Sequence, residues 1–232
     1  WHPEDAEDAT QEILVRVLTR LDGWRGEASV RTWAWRIAVH HLLDRRKTRM
    51  EAEKWTFDAF AEDLAAGLAD PRPGREPGDE LLAEEVRLGC TQEMLQCLDR
   101  AHRVAYVLGE VFGLPSEVAA DITGVSPAAH RKRLSRARSA LRSFVASHCG
   151  IVDPAHPCRC ARQVPKAVAV GRVDPARPLF VTHPATDRPV AETNEMHHLH
   201  DLAALMRSHP DYAAPDRLRH AVEAILDSSL RI

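Results

Sequence analysis

The chain has 232 residues, of which 44% are hydrophobic, 5% aromatic and 28% charged, with 11 Gly, 15 Pro and a formal net charge of −3. At roughly 150 residues per domain this length predicts two compact units plus connectors and excludes a TIM barrel. The low aromatic content favours small helical modules over sheet cores.

There is no run of about 18 apolar residues and no basic-then-apolar leader, which predicts a cytoplasmic protein with neither a membrane span nor a signal peptide. The opening at Trp1, without an initiator Met and inside a helix approach, predicts that an N-terminal piece is missing. The small net charge hides a segregation. Residues 51–93 carry twelve acids against four bases, whereas residues 122–152 carry no acid and hold Arg131, Lys132, Arg133, Arg136, Arg138 and Arg142. Such a basic block attracts phosphate. Five cysteines without an export signal point to buried thiols, metal ligands or redox sensing rather than a disulfide framework.

In chain order, Asp5-Ala6-Glu7-Asp8 loads acids on the first turns of a predicted amphipathic helix. Its apolar stripe is Ile13, Leu14, Val17, Leu18 and Leu21, and Gly23 ends it. Asp5, Asp8 and Glu12 share one exposed face, either a dock for a basic partner or a solvated acidic cap. The polar loop Trp24-Arg25-Gly26-Glu27-Ala28-Ser29 leads into a second predicted helix. That helix has Val30, Trp33, Ala34, Ile37 and Ala38 on one face and Arg31, Arg36, Arg45, Arg46, Lys47 and Arg49 elsewhere.

The string DAEDATQE (5–12) followed by WRGEASVRTWAWRIAVHHLLD (24–44) resembles the second conserved region of bacterial extracytoplasmic-function (ECF) sigma factors, specificity subunits of RNA polymerase. The resemblance implies that Asp5, Asp8, Gln11 and Glu12 dock on the clamp helices of the polymerase β′ subunit. It implies that Trp24, Arg25, Gly26, Glu27, Ala28 and Ser29 capture a flipped base of the minus-ten element, and that Arg36, His40 and Arg45 line the opened strand. His40 stands where many members have Asn, and the family's leading helix is absent before Trp1. Promoter melting needs aromatic platforms and cations that follow a single strand. Trp24, in the loop, suits a platform, whereas Trp33 lies on the apolar stripe and reads as core.

From Glu51 to about Glu80 the periodicity is weak and Pro71, Pro73, Gly74, Pro77 and Gly78 interrupt it, which predicts an acidic linker with a short helix near Trp55–Leu68. Composition reads it as a solubilising tether; the resemblance implies a connector threading the polymerase cleft.

Two further helical periods follow, Leu81, Leu82, Val86, Met94, Leu95 and Leu98, then Val104, Val107, Leu108 and Val111, with Gly113 as breaker. Cys90 and Cys97 read as small core residues. Residues 115–122, a turn at Thr123-Gly124-Val125 and a helix from Ser126 to Phe144 form a helix-turn-helix pattern, with Ser126 as cap and Pro127 in the first helical position. The stretch VFGLPSEVAADITGVSPAAHRKRLSRARSAL is similar to the fourth conserved region of the same sigma factors, which reads the minus-thirty-five element. That similarity makes Ala128, Ala129, His130, Arg131, Lys132 and Arg133 the start of the recognition helix, with Arg131, Lys132 and Arg133 on bases or phosphates. Arg136 and Arg138 become phosphate clamps, and His130 packs inward.

Beyond about residue 146, His148, Cys149, His156, Cys158 and Cys160 place three thiols and two imidazoles within thirteen residues. They read as a structural zinc site of Cys149, Cys158, Cys160 and either His148 or His156, as a thiol redox switch, or as incidental cysteines. Residues 161–190 look mostly irregular, and 191–207 and 215–230 predict two short amphipathic helices; His197, His198 and His200 invite a metal reading or surface filler.

The expected fold is all-α. It comprises a sigma region 2 over 1–50, an acidic linker over 51–80, a helix-turn-helix region 4 over 81–146 and a Cys-rich extension over 147–232 with a regulatory role. The expected function is that of an alternative sigma factor, not an enzyme. It requires no cofactor beyond a possible structural zinc, and its partners are the β′ clamp helices and β flap of core polymerase, promoter DNA and a possible anti-sigma factor. The alternative is a stand-alone helix-turn-helix regulator that binds duplex DNA.

Overall fold

A computed structural model of the chain describes residues 3–44, 55–69 and 79–179. The α-helices in chain order are α1 (Pro3–Thr19), α2 (Val30–Asp44), α3 (Phe57–Leu68), α4 (Asp79–Gln96), α5 (Arg100–Tyr106), α6 (Ser116–Thr123), α7 (Pro127–His148) and α8 (Cys160–Ala169). Among the described residues the only β pairing is an isolated bridge between Cys149 and Cys158, so the architecture is all-α as expected. No helix among them is long and apolar enough to cross a membrane.

The described residues divide into two compact units. The first holds residues 3–44 and 115–130; the second holds 55–69, 79–114 and 131–179.

In the first unit α1 packs on α2, and α2 packs on α6. The buried apolar contacts are small or branched: Ala9 on α1, Val39 on α2, and Ala119, Ala120 and Ile122 on α6. A short 3₁₀ turn, Leu21–Gly23, closes the first helix where Gly23 was expected to stop it. Ser29 starts α2, its Oγ accepting the Thr32 backbone N–H at 3.1 Å. Helix α6 stops at Gly124, whose φ of 67° is the left-handed conformation that glycine adopts without a Cβ penalty. Ser126 then caps α7, accepting the Ala129 N–H at 3.2 Å, and Pro127 opens the helix. Helix α7 continues four residues beyond the expected end at Phe144, because Phe144 and Val145 are themselves buried.

The second unit carries the larger core, built from Phe60, Met94, Leu98, Ala105, Tyr106, Leu134, Ala137, Leu141, Phe144 and Val145. Cys90 and Cys97 pack against it, as their spacing on a helix required. Helix α5 runs into a π-helical turn, Val107–Val111. There the backbone approaches α7 so closely that a Cβ on Gly109 would lie 2.7 Å from Leu134 Cδ2. Helix α4 has no base in its last turn. Arg103 from α5 supplies one instead, donating to the carbonyls of Leu95 and Leu98 at 2.8 Å each.

The short helix expected near Trp55–Leu68 is α3, started by Thr56, whose Oγ1 accepts the Ala59 N–H at 3.2 Å. It is a packed element: Phe60 is 1% exposed and stacks on Phe144 at 5.3 Å between ring centroids.

The irregular structure expected from residue 161 onward is corrected by α8, a helix with Pro165 inside it. Proline removes one backbone bond there, but Gln163, Val164 and Ala167 form a buried stripe against α3 and α4 that outweighs the loss. Helix α8 also serves the C-terminal end of α3. Gln163 Nε2 donates to the Leu64 carbonyl at 2.9 Å, Arg162 to that of Leu68 at 3.4 Å, and Lys166 to that of Asp63. The two short helices expected over 191–207 and 215–230, and His197, His198 and His200, lie outside the described residues.

Asp63 is held by two cations, Lys166 at 2.6 Å and Arg172 at 2.6 Å, and Arg172 also reaches Glu93 at 3.1 Å. Burial pushes the Asp63 carboxyl up, but the hydrogen bonds from Arg172 and Lys166 outweigh it and leave it below its ordinary value of 3.8. A depressed carboxylate contributes stability above that value and loses it as pH falls through and below it. Asp63→Asn is therefore expected to destabilise the second unit by about 2 kcal/mol at pH 7. The wild-type advantage should shrink at pH 3 in urea unfolding; an advantage independent of pH would show that the clasp is not electrostatic.

Candidate nucleic-acid interface

The acidic face of α1 is real and outward: Asp5, Asp8, Gln11 and Glu12 are all exposed. One member has an internal tie, since the Glu12 carboxylate lies 3.4 Å from Nε2 of the buried His41 on α2. The loop residues Trp24, Arg25, Gly26, Glu27 and Ser29 are exposed and Ala28 is half-buried. Trp24 is 39% exposed and its indole Nε1 donates to the Ala28 carbonyl at 2.9 Å. The ring thus spans its own loop and shows part of its surface to solvent. Trp33 is half-buried on α2, in keeping with a packing role.

On α2, His40 is exposed and Arg36 is half-buried. The Arg36 guanidinium donates to the Asp121 carboxylate of α6. That hydrogen bond, together with the charges of Asp121 and Glu27, raises the Arg36 pKa against the opposing effect of burial. Arg45 lies outside the described residues.

At the start of α7, Ala128 is exposed and Ala129 half-buried, and His130 is 1% exposed, as its reading as a packing residue requires. Arg131, Lys132 and Arg136 are exposed, while Arg133 and Arg138 are half-buried. Lys132 and Arg136 are one turn apart on a single face, and Arg131, Arg138 and Arg142 recur at i, i+7 and i+11 on another. Arg138 is not left to a phosphate alone: its Nε donates to Glu110 at 2.6 Å. Glu110 lies 28 residues upstream, outside the acid-free window, so the charge pattern around the helix did not reveal it. Likewise Asp121 is 85 residues from Arg36, and no local spacing links them. The basic faces of α7 can follow a polyanion, and a helix capped at Ser126 with its side chains exposed can enter a major groove.

The thiols and imidazoles of the extension do not fit a zinc site. Among the described residues no group of three or more His, Cys, Asp or Glu is gathered closely enough to hold a metal, and Cys149, Cys158 and Cys160 are free thiols. His148 stacks on Phe144 at 4.5 Å with Nδ1 donating to the Phe144 carbonyl, and His156 Nε2 donates to the Ala146 carbonyl at 2.9 Å. Burial, with the neighbouring Cys149 and Cys158, pushes the Cys160 thiol up to about 12, and burial also raises Cys158. Thiols held protonated are poor nucleophiles.

Residues 2–51 match the family described as Sigma-70 region 2, and residues 88–141 match Sigma-70, region 4. The chain is similar to the ECF RNA polymerase sigma factor SigE of Mycolicibacterium smegmatis, 33% identical over 147 residues, covering 62% of this chain and 53% of that relative. It is similar to the ECF RNA polymerase sigma factor SigJ of Mycobacterium tuberculosis, 30% identical over 175 residues, covering 73% of this chain and 52% of the relative. RNA polymerase sigma factor YlaC of Bacillus subtilis is 31% identical over 143 residues, 61% of this chain and 78% of its own length. The chain thus spans about half the length of the SigE and SigJ relatives. No solved structure gives a match.

Proposed function

The chain belongs to the extracytoplasmic-function RNA polymerase sigma factors, and from that premise we propose that it binds core RNA polymerase and directs it to promoters carrying minus-ten and minus-thirty-five elements. One observation carries the reading: a region 2 segment and a region 4 segment occur in this order in one chain, the second ending in a capped helix whose Arg131, Lys132 and Arg136 are exposed.

In this reading Asp5, Asp8, Gln11 and Glu12 meet the β′ clamp helices and region 4 meets the β flap. Trp24 to Ser29 take a flipped minus-ten base, Arg36 and His40 line the single strand, and Ala128, Ala129, Arg131, Lys132, Arg133, Arg136 and Arg138 meet the upstream duplex. The chain performs no bond chemistry; it lends address and melting to the polymerase, in the cytoplasm where both meet DNA. An anti-sigma partner would compete for the same acidic and basic faces. Nothing favours the stand-alone regulator.

Run-off transcription with core polymerase on a randomised promoter library tests the reading. Transcripts are expected downstream of a shared pair of boxes only when the chain is added. Failure to recruit polymerase, together with tight binding to intact palindromic duplexes, would turn the reading towards the stand-alone regulator. At finer resolution, replacing Arg131 and Arg133 by Ala is expected to weaken upstream duplex binding by about 1–3 kcal/mol per lost base contact and to lower the salt slope by about 1 per lost phosphate contact. A salt slope identical to wild type would remove these residues from the interface.

A further inference from the structure

Arg138 is one of the α7 bases that the sigma-factor reading sets against the upstream duplex, and it does not stand there as an isolated charge. Its Nε donates to Glu110 at 2.6 Å, and its Nη2 donates to the same carboxylate oxygen. That leaves Nη1 for a second acceptor. The Arg138 side chain is 43% exposed and that of Glu110 19%, so the carboxylate sits deeper than the guanidinium it holds. Glu110 is itself placed by the backbone. It belongs to the π-helical turn Val107–Val111, closed by the Phe112 N–H on the Val107 carbonyl at 2.9 Å. Such a widened turn gives its side chains directions that a continued α-helix would not. Beside Glu110, Leu108 is 1% exposed and Gly109 lies against Leu134, one helical turn before Arg138 on α7. The glycine contact and the ion pair are neighbouring rungs between the π turn and the recognition helix.

A guanidinium paired with a carboxylate attracts DNA weakly from a distance, because the field of the pair falls off faster than that of a lone cation and salt screens it within about 10 Å. At contact its remaining N–H donors still fit a phosphate, and the held fork cannot swing. Phosphate contacts of fixed direction set the register of a recognition helix on the duplex. We propose that Glu110 is a positioning residue for promoter recognition: by holding Arg138 it fixes one phosphate contact of α7 and cancels a charge that would attract any duplex, which favours the cognate upstream box over random DNA. The inference rests on the sigma-factor reading, which supplies the DNA contact of Arg138. Glu110 acts through Arg138 and needs no contact with DNA of its own.

The test uses the full chain bound to core polymerase and two fluorescein-labelled upstream duplexes followed by anisotropy, one carrying the box selected from the promoter library and one with that box scrambled. Glu110→Ala is expected to bind the scrambled duplex about threefold tighter and the selected one about threefold weaker, so that preference falls about tenfold, within what an exposed charge pair supports. In an Arg138→Ala chain the further change Glu110→Ala is expected to leave the preference where it was. Equal losses on both duplexes, the mark of a purely structural role, overturn the proposal. So does an unchanged preference, or a Glu110 effect that persists without Arg138.

Run-off transcription from the selected promoter separates the two claims. If wild type drives transcription and Glu110→Ala keeps the wild-type preference, the role of Glu110 falls and the sigma-factor reading stands. If wild type drives none, the reading falls and takes the role of Glu110 with it. Should Glu110→Ala not fold, Arg138→Lys reads the same orientation in a chain whose Glu110 is intact. Lysine keeps the cation but has no planar fork to be held from one side, so the preference is expected to drop about fivefold. A preference equal to wild type overturns the proposal.

Discussion

Truncation of Phe60 to Ala is expected to lower the unfolding free energy of the second unit by about 4 kcal/mol, the range for removing a fully buried aromatic side chain from a packed core. Phe60 is 1% exposed and lies between two aromatic partners, Phe144 at 5.3 Å and Trp55 at 6.1 Å, while Phe57 also meets Phe144 at 5.2 Å. The substitution removes the hub of that cluster and with it the apolar anchor of α3. What then holds α3 is the partly buried Phe57, Ala61 and Leu64 and a set of polar contacts, Asp63 between Lys166 and Arg172 and Gln163 on the Leu64 carbonyl. None of these side chains is as fully buried as Phe60. Urea unfolding followed by tryptophan fluorescence reads the loss, and Trp55, next to Phe60, should report a change in the folded baseline as well. A cost below about 0.5 kcal/mol, the usual size for a surface site, would mean that α3 is a solvated tether after all.

How far the fold could be read from the chain depends on the range of the interaction. The helix-turn-helix was legible because its signals are local: Gly124 supplies a left-handed stop, and Ser126 and Pro127 start the next helix two residues later. The same holds for the acidic turns of α1 and the short α3. What could not be read was set by residues far apart in sequence. Residues 161–190 read as mostly irregular, and only the packing of Gln163, Val164 and Ala167 on α3 and α4 shows why a helix persists around Pro165. The acid-free window around α7 suggested unpaired arginines, yet Arg138 finds Glu110 from outside that window. The candidate site shows the same division. Its residue types were visible in the sequence, but Asp121 on Arg36 and His41 behind Glu12 came only with the tertiary fold. The thiols of the extension had suggestive spacing, and spacing alone does not bring ligands to a common point.

Reversal of Asp8 and Glu12 to Lys is expected to weaken capture of core polymerase by about 100-fold or more, because each change both removes an attractive pair and sets a like charge against a basic partner surface. The expectation follows from where the two residues stand. Both are exposed on α1, about one turn apart, Asp8 next to the buried Ala9 in sequence and Glu12 one turn beyond it. The two positions are not equivalent. Asp8 has solvent around it, whereas Glu12 faces Nε2 of the 7%-exposed His41 at 3.4 Å, so a Lys at position 12 also disturbs the α1–α2 packing. Asp8→Lys alone therefore isolates docking from folding and is expected to account for at least half of the logarithmic loss with no change in thermal unfolding. Glu12→Gln keeps the size and polarity of the side chain beside His41 and should fold as wild type while losing part of the affinity. Anisotropy with labelled chain and core polymerase gives the affinity, and the full chain's binding to upstream duplex DNA serves as the internal control, since the basic faces of α7 are untouched. Equal losses of polymerase and duplex binding would point to a folding defect. Loss of duplex binding alone would take the acidic face of α1 out of polymerase docking altogether.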